Sequence, residues 1–362
     1  MSSFRKRRLF QTARLFRVSK PFKTIDDPGS IPGARLDGCY VKPARMSFPI
    51  EKIVTGSGID IYVIRCRLYR SMIGRVHVIP SLAAVVDTGS EDDSSRQDIL
   101  DGFDAIESQF GVRFRPSDVR RVFLTHSHLD HIGGLPLFDN PSVERCIHRN
   151  DYQMIAHPKD YFTFALEALK TLFNRCGVPE EERPNLTKAF LGLGPRTVDY
   201  DVNCVFDSGD KIGDFTAIPT PGHTRGHSCF LLDDVLFTGD HVLSHTLAPV
   251  WPLLFGETLG YANYYKSLIR VRNLAEAGTV KTLLPSHEDT ITEPIRRLDT
   301  IESSQNRRFG KIKRLTQPLI DEGIDPMPYA FQIGQKVYPA PDMFIAFFGF
   351  LDVGVRMEHL YL

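Results

Sequence analysis

The sequence lacks several features that would place it in a protein class at once. No apolar run approaches the roughly 20 residues of a membrane-spanning helix, so no transmembrane segment is expected. The formal net charge is zero, which argues against a protein that binds polyanions over its whole surface. Neither a Gly-x-Ser-x-Gly motif nor a Gly-rich phosphate-binding loop occurs. A serine nucleophile and a phosphate cradle of those kinds are therefore not indicated.

Cysteine is also sparse, and its six occurrences form no Cys-x-x-Cys pair. They are Cys39, Cys66, Cys146, Cys176, Cys204 and Cys229. Scattered cysteines in apolar surroundings are typical of reduced, buried thiols rather than of a disulfide framework. This usage predicts a cytoplasmic protein in which no thiolate is needed as a metal ligand.

The first 24 residues contain eight basic residues and no acidic one, so the rest of the chain carries a charge of −8. This basic arm fits an organellar transit peptide, a membrane-surface helix or a nucleic-acid-contacting arm, and a mobile extension is favoured over all three. A secretory signal is not expected, because no apolar segment of the required length follows the charges.

The hydrophobic content of 42% and the length of 362 residues suit a large globular domain with appendages. After an irregular Pro- and Gly-containing stretch at 25–50, short β-prone runs alternate with helical patterns. Strands are predicted at 53–54, 59–69, 82–86, 122–124, 145–148, 202–206, 215–218, 229–232, 235–237 and 282–284. Helices are predicted at 94–110 with Ser94 or Ser95 as the cap, over most of 151–193 with a new start at Pro179, and at 261–277.

The most informative stretch is Thr-His-Ser-His-Leu-Asp-His-Ile-Gly-Gly at 125–134. It places His126, His128, Asp130 and His131 within six positions directly after an apolar strand. Imidazole and carboxylate groups suit zinc or a similar first-row ion. Alternate residues leaving a strand can point the same way, so His126 and His128 can face one ion while Asp130 and His131 face another.

Four further segments occur in a fixed order around this stretch. They are Val-Val-Asp-Thr-Gly at 85–89, Thr-Pro-Gly-His-Thr-Arg-Gly-His at 220–227, Thr-Gly-Asp-His at 238–241 and Pro-Ser-His at 285–287. Together the five segments resemble the ordered motifs of the metallo-β-lactamase-fold, glyoxalase II-like hydrolases. The resemblance covers about residues 55 to 290, and ordered motifs are far more specific than any single one.

The resemblance implies a dinuclear centre in which one metal is bound by His126, His128 and His223. The second metal would be bound by Asp130, His131 and His287, with Asp240 bridging the two. Two divalent ions are expected, zinc foremost, with iron and manganese as alternatives. Asp130 or Asp240 would orient a metal-bound water or take its proton as it attacks a carbonyl or phosphorus.

Other residues receive supporting or neutral roles. Asp87 is expected to orient the histidine loop, and His227 and His241 are expected to support ligands rather than coordinate. The remaining histidines are predicted to be ordinary surface groups: His77, His148, His157, His245 and His359.

The resemblance also implies an α/β fold, the four-layer αββα sandwich, with a helical C-terminal extension. The predicted domains are an arm and irregular extension at 1–50, a catalytic domain at 51–292 with a helical cap at about 151–193, and a helical piece at 293–362. That last piece is similar to the winged-helix-like extension of family members that include thioesterases and RNA-cleaving enzymes.

Because the cap and the loop at 243–260 are apolar and aromatic, we expect hydrolysis of an ester-type bond, a thioester or lactone, in a small molecule. The alternative is a phosphodiesterase or ribonuclease, favoured by the basic arm and the basic residues beyond 293. A mononuclear iron sulfur dioxygenase is less favoured because His131 and His287 are both present. A small-molecule partner is thus preferred to a nucleic acid, and the sequence makes no prediction of oligomeric state.

Overall fold

A computed structural model describes residues 48–68, 72–191, 200–207, 209–339 and 343–362. The predicted basic arm at 1–24, nearly all of the irregular stretch at 25–50 and the predicted end of the cap at 192–193 lie outside the described residues. None of the described helices is both long enough and apolar enough to cross a membrane.

Twelve described strands form two sheets, one of seven strands in the order β1 to β7 and one of five in the order β12-β11-β10-β9-β8. Strands β1 to β4 pair antiparallel and β4 to β7 pair parallel. In the second sheet only β11 and β12 pair parallel. The strands are β1 Glu51–Val54, β2 Asp60–Arg67, β3 Ile73–Ile79, β4 Ala84–Val86, β5 Arg121–Phe123, β6 Glu144–His148, β7 Cys204–Phe206, β8 Lys211–Ile212, β9 Phe215–Pro219, β10 Ser228–Leu232, β11 Val235–Gly239 and β12 Thr282–Pro285.

Nine α-helices are described with these sheets. They are α1 Asp93–Phe110, α2 Leu129–Ile132, α3 Arg149–Ala156, α4 Pro158–Arg175, α5 Arg183–Leu191, α6 Tyr261–Glu276, α7 Pro294–Asp321, α8 Ala330–Val337 and α9 Met343–Tyr361. Short 3-10 turns occupy Pro80–Leu82, Pro116–Asp118, Leu135–Leu137, Leu253–Phe255 and Met327–Tyr329.

The two sheets pack face to face around aromatic side chains. The ring of Phe123 on β5 lies 5.0 Å from that of Phe230 on β10 and 4.3 Å from that of Phe215 on β9. The outer face of the first sheet packs against Ile99, Phe103 and Ile106 of α1, and helices α6 and α7 cover the second sheet. Each sheet thus buries both faces, and the predicted αββα sandwich is confirmed.

The cap helices and the C-terminal helices share one apolar core. Phe173 of α4 and Phe331 of α8 both pack on Phe350 of α9, while Phe190 of α5 packs on Phe347 of α9. The described residues 294–339 and 343–362 contain helices and no strand. The extension is therefore helical, and its contacts fix the cap against the sandwich.

Strand β3 was not predicted, and two histidines were placed wrongly. Gly74, Arg75 and His77 interrupt the apolar pattern of β3, yet the strand is central and His77 is fully buried. The His77 ring packs edge-on against Phe237 at 5.3 Å. His148 is also buried, where its Nδ1 accepts a hydrogen bond from the backbone N–H of Asn150 at the start of α3. The predicted surface positions hold for the remaining three: His157, His245 and His359.

The starts of two helices also differ from the predictions, and one further strand was missed. The cap of α1 is Asp92 rather than Ser94 or Ser95, and the Ser95 hydroxyl instead accepts a hydrogen bond from Ser90 N–H at 3.1 Å. The helix expected from Pro179 begins at Arg183, because residues 180–182 form a turn first. The two-residue strand β8 was not predicted, since so short a segment carries no periodic signal.

Candidate metal centre

The seven predicted ligands all follow the ends of strands, although 161 sequence positions separate the first from the last. His126 and His128 lie in the turn after β5, and Asp130 and His131 lie in the short helix α2. The other three follow β9, β11 and β12: His223, Asp240 and His287. A rigid sandwich therefore presents ligands from four loops at one place.

The turn that carries the first four ligands depends on a glycine. A side chain at Gly134 would place its Cβ 1.9 Å from the carbonyl oxygen of Thr88. Glycine alone lets this turn lie against the loop after β4, where Thr88 N–H donates to the carbonyl oxygen of His131 at 2.8 Å. The sequence motif thus fixes the backbone as well as the ligand set.

Three imidazoles form the first group. Nδ1 of His128 lies 3.0 Å from Nε2 of His126 and 3.0 Å from Nε2 of His223. All three potential ligand atoms lie within 4.8 Å of one another. They are the three residues predicted for the first metal.

The second group contains Asp130, His131 and His287, again within 4.8 Å of one another. Nε2 of His287 lies 3.3 Å from Oδ2 of Asp130 and 3.3 Å from Oδ1 of Asp240. Oδ1 of Asp240 also lies 3.5 Å from Nε2 of His131, whereas its Oδ2 lies 3.5 Å from Nε2 of His223. Asp240 therefore directs one oxygen towards each group, as a bridging ligand would.

Hydrogen bonds on the outer side of the rings fix which nitrogen faces inward. Nδ1 of His223 lies 2.9 Å from the carbonyl oxygen of Pro249, and Nδ1 of His287 lies 3.1 Å from that of Ile73. A carbonyl oxygen can only accept, so each Nδ1 carries a hydrogen and each Nε2 is the nitrogen that faces the cluster. Outer partners of this kind orient imidazoles that bind metals.

Asp87 provides the same support for the other two rings. Its carboxylate accepts from the hydroxyl and backbone N–H of Thr125, from the hydroxyl of Ser286 and from Nδ1 of His131 at 2.9 Å. Because the Thr125 hydroxyl donates to Asp87, its oxygen accepts from Nδ1 of His126 at 3.0 Å. One buried carboxylate thus turns Nε2 of both His126 and His131 towards the cluster.

These donors fit divalent cations. In the neutral first group only Nδ1 of His128 can carry a hydrogen towards the other two rings, so the three nitrogens at 3.0 Å share at most one hydrogen unless a cation lies between them. Ligand atoms on a tetrahedral ion with bonds of 2.0–2.1 Å lie about 3.4 Å apart, close to the distances in both groups. Moreover, Nε2 of His131 and Oδ1 of Asp240 are buried and make no hydrogen bond within the part of the chain that the structure describes. A cation would satisfy both.

The electrostatics differ between the two groups. Burial and the neighbouring imidazoles lower the pKa of His128 to about 3, and burial likewise lowers the pKa of His126 and His223. In the second group burial opposes protonation of His287, but Asp240 and Asp130 raise its pKa to about 9. The imidazoles of the first group are therefore held in the neutral form that binds metals, whereas His287 in the second group is protonated when no cation is bound.

Asp151 at the start of α3 is a supporting residue that the sequence did not reveal. It is fully buried, and its carboxylate accepts from Ser127 N–H at 3.0 Å, the Thr224 hydroxyl at 2.6 Å and Gly226 N–H at 2.5 Å. Burial raises its pKa, while the donated hydrogen bonds oppose that rise. The carboxylate ties the loop of His126 and His128 to the loop of His223. In the sequence it is only an acidic residue in the first turn of a helix, which is a common position.

His227 supports the cluster from behind. Its Nε2 accepts from the backbone N–H of Asp240 at 3.2 Å, and its Nδ1 lies 2.8 Å from the Thr220 hydroxyl. His241 is fully buried, with its ring packed edge-on against Tyr264 at 5.2 Å. Neither side chain belongs to the first or second group, nor to a further potential ligand group among the described residues, which combines His126, His131 and Asp240. His227 thus contacts the predicted ligand Asp240, whereas the supporting role of His241 stays a prediction.

A pocket with apolar walls opens beside the first group. Helices α4 and α5 and the 243–260 loop supply most of its walls. The lining residues are His128, His223, Met154, Tyr161, Phe162, Phe190, Thr224, Arg225, Trp251, Phe255 and Leu259. The cavity volume is about 50 Å³, so it can hold a small apolar group next to the cluster.

Comparisons with known proteins agree with this architecture. Residues 78–287 match the family model described as the metallo-beta-lactamase superfamily. The N-acyl homoserine lactonase AttM of Rhizobium johnstonii is 30% identical over 170 residues, which are 45% of this chain and 56% of that protein. The atrochrysone carboxyl ACP thioesterase of Emericella nidulans is 25% identical over 277 residues, 73% of this chain and 72% of that protein. The chain thus spans little more than half the length of the lactonase.

Solved structures share the fold. A metallo-beta-lactamase family protein from Thermus thermophilus superposes with a TM-score of 0.63 at 20% identity, over 83% of this chain and 92% of that one. A beta-lactamase domain protein from Burkholderia ambifaria gives a TM-score of 0.56 at 19% identity, over 86% and 85% of the respective chains.

Proposed function

Because the chain belongs to the metallo-β-lactamase superfamily, we propose that it is a metal-dependent hydrolase that cleaves an ester-type bond, a lactone or thioester, in a small molecule. The ligands of two divalent ions are then the residues of the two groups and Asp240. The observation that carries the proposal is the pocket lined by aromatic side chains together with His128 and His223.

The side chains of the cluster would divide the work. Divalent cations bound there would lower the pKa of a water molecule and polarise a carbonyl group. Asp240 touches both groups and so fixes their relative position. The Asp130 side chain is 28% exposed, against 11% for Asp240. Asp130 is therefore the carboxylate better placed to orient water from the solvent side and accept its proton.

The pocket walls would select the substrate and exclude water. Phe190 contacts Trp251 at 5.9 Å and Phe255 at 6.2 Å between ring centroids, so cap and loop form one continuous apolar surface. An acyl or aromatic group buried there would hold the carbonyl near His128 and His223. Exclusion of water strengthens the electrostatic interactions at the reacting bond.

The small-molecule assignment is preferred to a nuclease for a structural reason. A nucleic acid needs a run of cationic side chains along its phosphates. Among the described residues that line the pocket, Arg225 is the only cationic side chain. The relatives also include proteins named as a lactonase and a thioesterase, which supports ester-type chemistry.

A parallel assay tests the proposal. Metal-loaded protein is offered an acyl lactone, an acyl thioester, a phosphodiester and a short RNA. We expect turnover of the lactone or thioester. His223→Ala should lower kcat/KM by at least about 100-fold, because loss of a metal ligand should cost more activity than loss of a residue that hydrogen-bonds to a ligand, which costs about 10- to 100-fold. His245→Ala is the matched control, since His245 is exposed and its imidazole pairs with the Asp289 carboxylate. Turnover of the phosphodiester and RNA alone, or full activity in His223→Ala, would reject the proposal.

A further inference from the structure

Arg225 is a cationic side chain that lines the same pocket as His128 and His223. It lies between the predicted ligand His223 and its supporting neighbour His227, and it lines the aromatic pocket. Its backbone is fixed, because its carbonyl oxygen accepts from Thr258 Oγ1 at 3.0 Å and from Asn150 Nδ2 at 3.4 Å. The side chain therefore starts from a rigid position beside the proposed reaction site.

The guanidinium of Arg225 has no carboxylate partner within the described ranges of the chain. By contrast, the partly buried Arg67 makes two hydrogen bonds of 2.7–2.8 Å to Asp98. Asp151 contacts the same loop as Arg225, but its oxygens accept from Thr224 and Gly226 instead. No salt bridge or side-chain hydrogen bond of Arg225 is formed among these residues.

Arg225 is partly buried, and an anion that binds beside it would replace the hydration that the aromatic walls remove. The planar guanidinium fork matches the oxygens of a carboxylate or a phosphate, and it can bind either with two parallel hydrogen bonds. We propose that Arg225 forms an anion-binding subsite, so that the substrate is an apolar ester or thioester that also carries a carboxylate or phosphate group. This inference rests on the proposed function, because the subsite and the reacting bond share one pocket.

The pocket contains its own reporter. Trp251 is the only tryptophan of the chain, and it lines the same pocket as Arg225. Its emission should change when a ligand enters, without any need for turnover. Three probes of similar shape separate charge from apolar contact: phenylbutyrate, phenylpropyl phosphate and the neutral phenylbutyramide.

We expect the metal-loaded wild-type protein to bind at least one of the two anions about tenfold or more tightly than the amide, as charge-assisted hydrogen bonds predict. The better anion identifies the natural group. Arg225→Gln should remove this preference while the affinity for the amide stays the same, and Arg225→Lys should retain part of it. Arg314→Gln is the matched control, because Arg314 is exposed on α7 and its replacement changes the net charge equally.

Two results would overturn the subsite. One is an anion preference that survives in Arg225→Gln, since the anion would then be bound elsewhere, for example by the metals. The other is equal affinity for all three probes in the wild-type protein. Circular dichroism checks that each variant is folded. Failure of the proposed function can be distinguished from failure of the subsite. An anion preference that depends on Arg225, without hydrolysis of any ester, would reject the proposed reaction. Hydrolysis of neutral esters without that anion preference would reject the subsite alone.

Discussion

Replacement of Asp151 by asparagine should weaken both the fold and the metal centre, although Asp151 touches no predicted metal ligand side chain. The buried carboxylate accepts hydrogen bonds from Ser127, Thr224 and Gly226. An asparagine keeps one oxygen but replaces the other with an NH₂ group. If the oxygen faces Ser127 and Thr224, the NH₂ group meets the N–H of Gly226, so two donors oppose each other in a buried site.

The magnitude follows from these contacts. Loss of a hydrogen bond to a charged acceptor costs about 1.5–3 kcal/mol, and a buried donor left without an acceptor costs about 1–3 kcal/mol. The two effects overlap at Gly226, so we expect Asp151→Asn to lower the free energy of unfolding by about 3 kcal/mol. Because the carboxylate joins the loops of both His128 and His223, metal affinity should fall about 10- to 100-fold.

Urea unfolding of the metal-loaded and metal-free forms measures the first effect, and competition with a chelator measures the second. Asp207→Asn is the matched control: its carboxylate pairs with Arg149 at 2.9 Å, but both side chains are largely exposed, so little change is expected. If Asp151→Asn matches Asp207→Asn in both stability and metal affinity, the proposed role of Asp151 as the link between the two loops is refuted.

Three further predictions concern pH and packing. Burial, and to a lesser extent the charge of Arg75, lower the pKa of His77 well below 6.5, so below pH 6.5 the unfolded chain binds a proton at His77 that the folded chain does not bind. His77→Leu should therefore reduce the loss of stability on acidification by about 1.4 kcal/mol per pH unit. An unchanged dependence of the free energy of unfolding in urea on pH would contradict this. Because the pKa of His287 is raised to about 9 without metal, metal binding at pH 7.5 should release protons and become tighter as the pH rises. Calorimetry in buffers of different ionisation enthalpy measures the protons released. The same binding enthalpy in every buffer would mean that no proton is displaced and would contradict the prediction. Phe190→Ala should lower stability by about 3–5 kcal/mol and raise KM for long acyl substrates, and an unchanged KM would exclude Phe190 from the substrate pocket.

The ligand groups were predictable because their signal is local. Each histidine or aspartate follows an apolar strand, and a scaffold of two sheets brings strand ends together. The helix α6 and most strands were also predicted, since their apolar spacing survives in the sequence.

What the sequence hid depends on contacts between distant segments. Strand β3 carries Arg75, which is buried only because Glu51 and Thr290 accept its hydrogen bonds. Asp151 receives its partners from loops 24 to 75 positions away. Arg225 is distinguished by the absence of a partner among the described residues, which no sequence pattern records. For Arg75, Asp151 and Arg225, contacts between distant segments rather than local sequence propensity determine the environment of the side chain.

The claim on which the account depends is that seven side chains hold two divalent cations. Anomalous diffraction from crystals of metal-loaded protein, recorded on both sides of the absorption edge of the metal, tests this most directly. We predict two peaks, one bound by His126, His128 and His223 and one bound by Asp130, His131 and His287, with Asp240 in contact with both. No peak within these groups, or a single ion bound at a different place, would contradict it.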